Sequence, residues 1–277
     1  MKQFSRIFIL FTLVIALASC NRTFSKIEKS KDSAFKLTKA NDYYEKKNYQ
    51  NARKLYEQLF SAYKGTDKFE ELYYKYAFCH YNEKLYPEAE QLFKGYLEFF
   101  PNSLHAEEVD YMRAYSFYKQ SPKLELEQVN TLKAINMMQT FINQHLGSPR
   151  VKDANAVIDE GRAKLELKDA REAQLFFNLG QFRAAGLAYN SIINSYPETR
   201  KGDEYKLMVV KSFYKFAKLS IVEKQVERFE KVVIEYQDFA DRFPESTLIK
   251  EAENYNNLSL NNIKILNNEQ TSSPARR

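Results

Sequence analysis

Evenly spaced prolines are the feature that most constrains the fold of this chain. Pro101, Pro149, Pro197 and Pro244 lie 48, 48 and 47 residues apart. Three of them follow an aromatic residue and have Ser or Thr two positions later. A fixed period of this size is the signature of stacked helical repeats, because one repeat alone cannot bury its apolar face. Such repeats form extended concave surfaces, which favours a binding function.

Apolar residues recur at helical spacing from residue 33 to residue 266, with few breakers between them. Each proline is expected to end one helix, and Ser103, Thr199 and Ser246 are expected to cap the next. We therefore predict an all-α chain. The predicted helices are 33–47, 49–63, 68–83, 86–100, 103–120, 128–145, 150–179, 181–196, 200–219, 222–243 and 246–266.

The amino terminus has the pattern of a signal peptide. Lys2 and Arg6 precede an apolar run over 7–17 that is too short to span a bilayer. The residues Leu17-Ala18-Ser19-Cys20 resemble a bacterial lipobox, which implies that Cys20 is diacylated and becomes the mature N-terminus. An ordinary cleavage site with a chance cysteine is the alternative. The predicted domains are a signal peptide (1–19), a lipidated tether (20–32), the helical domain (33–266) and a disordered tail (267–277).

Motifs that would carry catalysis are missing from the sequence. It has no Gly-rich phosphate loop, no HExxH and no paired-cysteine motif. His80, His105 and His145 have no ligand spacing and are expected at the surface or at helix ends. Cys79 has no partner once Cys20 is acylated, so we expect a buried small hydrophobe. We predict a non-enzymatic protein with no catalytic residues, no metal and no cofactor.

Charge also limits the set of partners. The net charge is +6, and basic and acidic residues alternate throughout the chain. No nucleic-acid-binding stripe is visible, so no nucleic-acid partner is expected. Lys211, Lys215 and Lys218 share one helix face. We predict a solvated stripe there, with a docking patch for an acidic partner domain as the alternative.

The repeats resemble tetratricopeptide (TPR) units. That pattern places an alanine at the turn of a hairpin, an aromatic residue four positions later and a closing proline, as in Ala89, Phe93 and Pro101. A second copy is Ala185, Tyr189 and Pro197. The resemblance implies a TPR-like helical-hairpin solenoid of about five repeats with a C-terminal capping helix.

In TPR units the first helix of each hairpin lines the concave groove. Mapping that geometry onto this chain predicts an apolar and aromatic groove that suits an extended peptide, since Tyr offers a flat ring with a polar tip. The alternative is that these rings pack between hairpins as core. The predicted groove residues are Leu37, Asn41, Tyr44, Tyr74, Phe78, Tyr81, Asn82, Tyr111, Tyr115 and Tyr118.

A lipobox followed by about five long TPR units resembles the BamD family, lipoproteins of the β-barrel assembly machine in Gram-negative outer membranes. The stretches 121–149 and 176–199 carry the resemblance best. It implies a lipid anchor at Cys20 on the periplasmic face of the outer membrane. It also implies C-terminal repeats that dock on the POTRA domains of a BamA-like barrel subunit, and a groove that holds the C-terminal segments of unfolded outer-membrane proteins.

Three other classes stay open. One is another periplasmic TPR lipoprotein, acting in cell-wall synthesis or division, which the long units disfavour. The second is a nutrient-binding lipoprotein of the outer membrane, for whose large ligand-binding insertion the chain has no room. The third is a helical cell-wall lytic enzyme, which would need an appended catalytic domain.

Overall fold

The structure, a computed structural model, describes residues 23–272, and all regular secondary structure in this range is helical. The predicted all-α class is therefore confirmed. None of the helices in this range is both long and apolar enough to cross a membrane. The helices are α1 (23–28), α2 (Ser33–Glu45), α3 (Tyr49–Tyr63), α4 (Phe69–Asn82), α5 (Tyr86–Phe99), α6 (Ala106–Lys119), α7 (Val129–Gln144), α8 (Val151–Asn178), α9 (Phe182–Ser195), α10 (Gly202–Lys218), α11 (Val222–Arg242) and α12 (Ile249–Ser272).

Consecutive helices pair into TPR-like hairpins, as predicted. The pairs are α2 with α3, α4 with α5, α6 with α7 and α10 with α11, and α12 packs against α11 at the C-terminal end. Hydrogen bonds from Tyr189 to Gln174 and from Tyr196 to Asp169 join α8 to α9. The chain divides into two compact units, one ending at Gly161 and one beginning at Arg162.

The small residues of the repeat pattern let the helices of a hairpin approach closely. Ala77, Ala89 and Phe93 are fully buried in the cluster between α4 and α5. A Cβ atom at Gly95 would lie 2.4 Å from the Tyr73 hydroxyl oxygen. The aromatic side chains fill the space that these small residues leave, which is why the sequence pattern predicts the hairpins well.

The connections between hairpins share one contact, which we call the hydroxyl staple. Ser103 donates to Glu70 Oε1 at 2.6 Å and accepts from the His105 backbone N–H at 2.9 Å. In each staple a hydroxyl donates to a carboxylate of the preceding hairpin's first helix and accepts the N–H two residues further on. The four staples are Ser103–Glu70, Ser148–Glu107, Thr199–Glu166 and Ser246–Asp203.

The helices that follow three of the staples begin later than the sequence predicted. Ser103, Thr199 and Ser246 do not cap the following helices, which begin only at Ala106, Gly202 and Ile249. Their hydroxyls fix the turn before the helix instead, because the nearest carboxylate comes from the neighbouring hairpin.

Both predicted ends of the helical domain were placed too far inward. Residues 23–28 are helical rather than a tether, because Phe24 and Ile27 share a face and are buried against the first hairpin. At the other end α12 continues to Ser272, so the tail predicted from 267 is wrong as far as 272. Leu266 is buried with Ala217 and Phe229 and holds this part of the helix in place. The predicted signal peptide and the predicted lipidation site Cys20 lie outside the described residues.

Three hairpin turns have the same backbone conformation. In the α2–α3 turn the N–H of Asn48 donates to the Tyr43 carbonyl at 2.8 Å, and the N–H of Lys47 to the Tyr44 carbonyl at 2.8 Å. This is a Schellman motif, whose central residue adopts a left-handed φ. That residue is Lys47 (φ 57°) here, Lys84 (φ 63°) in the α4–α5 turn and Gly180 (φ 75°) in the α8–α9 turn.

Candidate functional site

The first helices of successive hairpins in unit 1 are joined by side-chain contacts. Lys75 of α4 lies with its Nζ 3.5 Å from Asn41 Oδ1 and 5.5 Å from the centre of the Tyr44 ring, both on α2. The Tyr74 hydroxyl of α4 donates to Glu108 of α6 at 2.9 Å. The helices that were predicted to line a groove are therefore neighbours along one face. We call the ten residues that were predicted to line the groove the aromatic face.

The centre of the aromatic face is a group of half-buried rings on α4. The Tyr74 ring lies between Phe78, at 4.5 Å, and His105, at 4.4 Å between ring centres. Phe78 packs on Phe93 at 5.2 Å, and Tyr81 packs on Tyr86 at 5.4 Å. Each ring thus has one side on the core and remains partly accessible on the other.

Tyr111 is the member that packs most like core. It is only 7% exposed and meets Phe141 of α7 at 5.5 Å. Its other neighbour is Tyr115, which stacks on it at 5.6 Å and carries Lys119 above its own ring at 4.8 Å. Tyr111 therefore supports the surface that Tyr115 offers, and it presents little area of its own.

Tyr118 and Leu37 lie at the two ends of the aromatic face. Tyr118 is half-buried on α6, and its hydroxyl donates to Glu160 of α8. Leu37 is half-buried on α2 and packs against the core of the first hairpin.

The two asparagines of the aromatic face differ in what they can offer. The Asn41 Oδ1 accepts from the Tyr56 hydroxyl at 2.7 Å, so this oxygen is engaged inside the protein. Asn82 is exposed at the end of α4, where its Nδ2 donates to the Phe78 carbonyl at 2.7 Å. A peptide backbone on this face would therefore find its polar partner more readily at Asn82 than at Asn41.

Five tyrosines of this face have a raised pKa and are neutral at physiological pH. Burial, helped by the nearby Asp153 carboxylate, raises the pKa of Tyr111 to about 12. The hydrogen bond to Glu160, together with burial, raises the pKa of Tyr118 to about 12. Burial also raises the pKa of Tyr44, Tyr74 and Tyr81. The surface thus offers flat uncharged rings and hydroxyl groups, which suits contact with an apolar peptide.

Cys79 and His80, two potentially reactive side chains of α4, are buried. Cys79 is fully buried, as predicted, and burial raises the pKa of its thiol. His80 was expected at the surface or at a helix end, and it lies in the last turn of α4, where it is only 6% exposed and its Nδ1 lies 3.0 Å from the Tyr76 carbonyl oxygen. Among the described residues no group of three or more His, Cys, Asp or Glu side chains could hold a metal ion.

A second surface in unit 2 combines exposed apolar and basic side chains. Leu187 and Ile234 are each 55% exposed, and the Arg228 guanidinium lies 4.2 Å from the centre of the Phe216 ring. These residues line an open groove of about 660 Å³. We call it the basic–apolar groove, and its further basic residues are Arg183, Lys224 and Lys231.

This groove was not predicted, because the sequence pattern drew attention to Lys211, Lys215 and Lys218 instead. In that stripe Lys211 pairs with Glu251 at 2.6 Å, and Lys215 lies over the rings of Phe177 and Phe182. Lys218 is exposed. The residues of the groove come from three helices, so no single-helix pattern could indicate it.

Comparison with known proteins places the chain in a family. No curated protein matches the sequence. Among solved structures, the TPR2AB-domain:pHSP90 complex of yeast Sti1 is similar at 12% identity and a TM-score of 0.41, covering 82% of this chain and 98% of that one. The profile of YfiO, described as an outer membrane lipoprotein, matches residues 28–215. The chain therefore belongs to the YfiO family of outer membrane lipoproteins, which is the BamD family.

Proposed function

We propose that this lipoprotein is a non-enzymatic scaffold of the outer-membrane β-barrel assembly complex. In this proposal Cys20 carries the lipid after removal of residues 1–19, and the helical domain faces the periplasm. The observation that carries it is the aromatic face, which runs over the first helices of three successive hairpins in a member of this family. An extended peptide can lie along such a face without entering a closed pocket.

The aromatic face is proposed to hold the C-terminal segments of unfolded outer-membrane proteins. Half-buried rings such as Tyr74, Phe78 and Tyr81 offer apolar area at little entropic cost, because the core already fixes one side of each ring. Large aromatic side chains in partly desolvated positions are the residues that dominate the energy of most interfaces.

The basic–apolar groove is proposed to dock the POTRA domains of a BamA-like barrel subunit. An apolar centre formed by Leu187 and Ile234 and a charged rim with Arg183 and Lys224 have the anatomy of a protein interface. Arginine that stacks on an aromatic ring, as Arg228 does on Phe216, is typical of residues that contribute strongly to binding.

The client site is tested by binding of a peptide that ends in an aromatic residue. We expect Tyr74→Ala combined with Tyr81→Ala to weaken binding by about tenfold or more, because two ring contacts of more than about 1 kcal/mol each are lost. Lys94→Ala is the matched control, since Lys94 is exposed on the second helix of the same hairpin. Unchanged affinity in a double variant with native helicity would rule out this site.

The barrel-subunit site is tested by affinity capture from detergent-solubilised outer membranes with the lipidated chain. We expect a BamA-like barrel protein to be recovered, and Leu187→Asp with Ile234→Asp to abolish its recovery while peptide binding persists. Leu175→Asp is the control, because Leu175 is equally exposed (54%) but lies outside the groove. Recovery of cell-wall synthesis or division proteins without such a barrel would favour the alternative scaffold function.

A further inference from the structure

Positive charge is concentrated at the beginning of the described chain. Residues 23–54 contain nine Lys and Arg against four Asp and Glu, whereas the chain after residue 54 has a small excess of acidic residues. This segment comprises α1, α2 and the start of α3. Nearly all of the basic character of the described protein is therefore at the first hairpin.

The chain enters unit 1 at the end of the hairpin that carries the α2–α3 turn. The Phe24 ring lies 5.8 Å from the ring of Tyr43, near the end of α2. The Nζ of Lys54, in the second turn of α3, lies 5.8 Å from the same Phe24 ring. Cys20 precedes Phe24 by only four residues, so a fully extended chain lets it reach no more than about 14 Å from this point. An acyl anchor on Cys20 would thus hold this edge of unit 1 close to the bilayer.

Lysines at this edge occupy positions where the backbone favours glycine. Lys47 and Lys84 adopt a left-handed φ, whereas the corresponding turn between α8 and α9 has Gly180. The two lysine turns adjoin each other, because Arg53 at the start of α3 pairs with Glu83 of the α4–α5 turn at 2.7 Å. A requirement for positive charge at this edge would explain why lysine is present at these two strained positions instead of glycine.

The positive charge at this edge is available to a partner. Lys26, Lys46, Lys47, Lys54 and Lys84 are exposed, and none of them forms an ion pair with another residue in the 23–272 range. Two acidic residues at the same edge already have basic partners, since Glu83 binds Arg53 and Glu45 approaches Lys75 at 3.8 Å.

We propose that the edge formed by the α2–α3 and α4–α5 turns lies on the membrane surface, with its lysines on anionic phospholipid headgroups. A lipid anchor combined with a polybasic surface binds a membrane more firmly than either alone. The inference rests on the acylation of Cys20, which is part of the proposed function, and it adds an orientation for unit 1 relative to the bilayer. With both turns on the bilayer, α2 and α4 each extend away from the membrane, and the aromatic face passes from α2 to α4 parallel to it.

The orientation is tested with the lipidated full chain in vesicles of phosphatidylcholine, with or without phosphatidylglycerol. A photo-reactive amino acid is placed at Gln50, beside the α2–α3 turn, or at Asp67, beyond the other end of α3. The 15 residues of α3 separate the two positions by about 22 Å. We expect position 50 to cross-link to phosphatidylglycerol several-fold more than position 67, and about 1 M salt to abolish the difference. Equal cross-linking at both positions would overturn the inference.

The role of the turn lysines is tested by Lys47→Gly combined with Lys84→Gly. Glycine relieves the left-handed φ, so the thermal midpoint is expected to stay the same or rise. Cross-linking at position 50 is nevertheless expected to fall, by about fivefold for each lysine lost near an anionic surface. Lys47→Arg with Lys84→Arg is the matched control and should keep the cross-link.

A second pair, Lys46→Gln with Lys54→Gln, removes the same amount of charge and leaves the strained positions unchanged. It should lower cross-linking at position 50 as much as the glycine pair does. Cross-linking at the wild-type level in both neutral pairs would refute the role of these lysines. Peptide binding and capture of the barrel subunit are expected to persist in every lysine variant, so failure of the inference can be told from failure of the proposed function. A mature chain whose Cys20 carries no acyl group would overturn the anchor and the orientation together.

Discussion

Lys206 is only 1% exposed, and its ammonium group is held between Glu235 and Asp238 of the next helix. Burial alone would raise the pKa of Glu235, but hydrogen bonds from Lys206 and Lys231 outweigh it and hold the pKa below its usual value. A buried charge of this kind is costly unless it is paired, so the three groups depend on one another.

We expect Lys206→Met to destabilise unit 2 by about 3 kcal/mol, because it leaves Glu235 buried with only the half-exposed Lys231 as partner. Lys211→Met is the matched control on the same helix. Lys211 pairs with the exposed Glu251, so its loss should cost less than about 1 kcal/mol. Urea unfolding of both variants measures the difference, and equal effects would contradict the role of burial.

The same pair makes stability depend on acid pH. Because the pKa of Glu235 is lower in the folded state, its contribution is present above the unfolded pKa of 4.5 and is lost as the pH falls through the folded pKa. The difference in unfolding free energy between wild type and Lys206→Met should therefore shrink below about pH 4.5. A difference that is constant from pH 7 to pH 3 would contradict this linkage.

At the scale of elements, the hydroxyl staples explain how hairpins of unequal length keep one geometry. The sequence separation between hydroxyl and carboxylate is 33 residues for Ser103 and for Thr199, but 41 for Ser148 and 43 for Ser246. Extra residues are accommodated between two fixed points, so the contact stays the same while the chain between them changes.

Removing one staple should loosen the adjoining hairpins. Ser103→Ala is expected to lower the unfolding free energy by about 1–2 kcal/mol, because Glu70, the Tyr96 hydroxyl and the His105 N–H all lose a partner. Asn102→Ala, at the exposed neighbouring position, should change it by less than about 0.5 kcal/mol. Thermal or urea unfolding decides between a staple and a passive turn residue, and a Ser103→Ala protein as stable as the control would indicate the latter.

Helix positions were largely predictable because the repeat pattern is local, and α3 begins and ends where the periodicity placed it. The staples were not predictable, because their carboxylates come from another hairpin. Ser148 was missed altogether, since it precedes its proline whereas the other three hydroxyls follow theirs. The short helix α1 was missed as well, because two apolar residues over 23–28 give no clear period until their burial against the first hairpin is known.

In the candidate site, too, features set by one helix were predictable and features set by contacts between helices were not. The ten predicted residues of the aromatic face belong to α2, α4 and α6, yet helical spacing could not separate the buried Tyr111 from the half-buried Tyr115. The difference comes from Phe141 on α7, which covers Tyr111. The basic–apolar groove could not be predicted, because its residues come from three helices and form no periodic pattern in the sequence.

For the molecule as a whole, the 20 tyrosines make alkaline pH the more revealing stress. Burial, with smaller contributions from nearby charges, raises the pKa of Tyr76, Tyr96 and Tyr111 to about 12 in the folded state. Their contribution to stability is therefore fully present below the unfolded pKa of about 10 and is lost as the pH rises towards 12.

We expect the urea midpoint to fall steeply between pH 10 and pH 12, with tyrosinate absorbance appearing together with loss of helix. Tyr111→Phe should reduce the alkaline loss, because the buried ring is kept and the ionising group is removed. Ionisation of all tyrosines near pH 10 with helicity retained would contradict the burial of these hydroxyls.

The burial of Cys79 makes the modification rate of its thiol a measure of how often unit 1 opens. If Cys20 is acylated as proposed, the remaining free thiol of the sequence is Cys79, which has no exposed surface inside unit 1. A thiol reagent can reach it only during transient openings, so its rate of modification counts how often unit 1 opens. Unit 2 contains no cysteine, so its opening does not contribute to the modification rate. Binding of a client peptide to the aromatic face would therefore slow the modification of Cys79, and the measurement needs no introduced label.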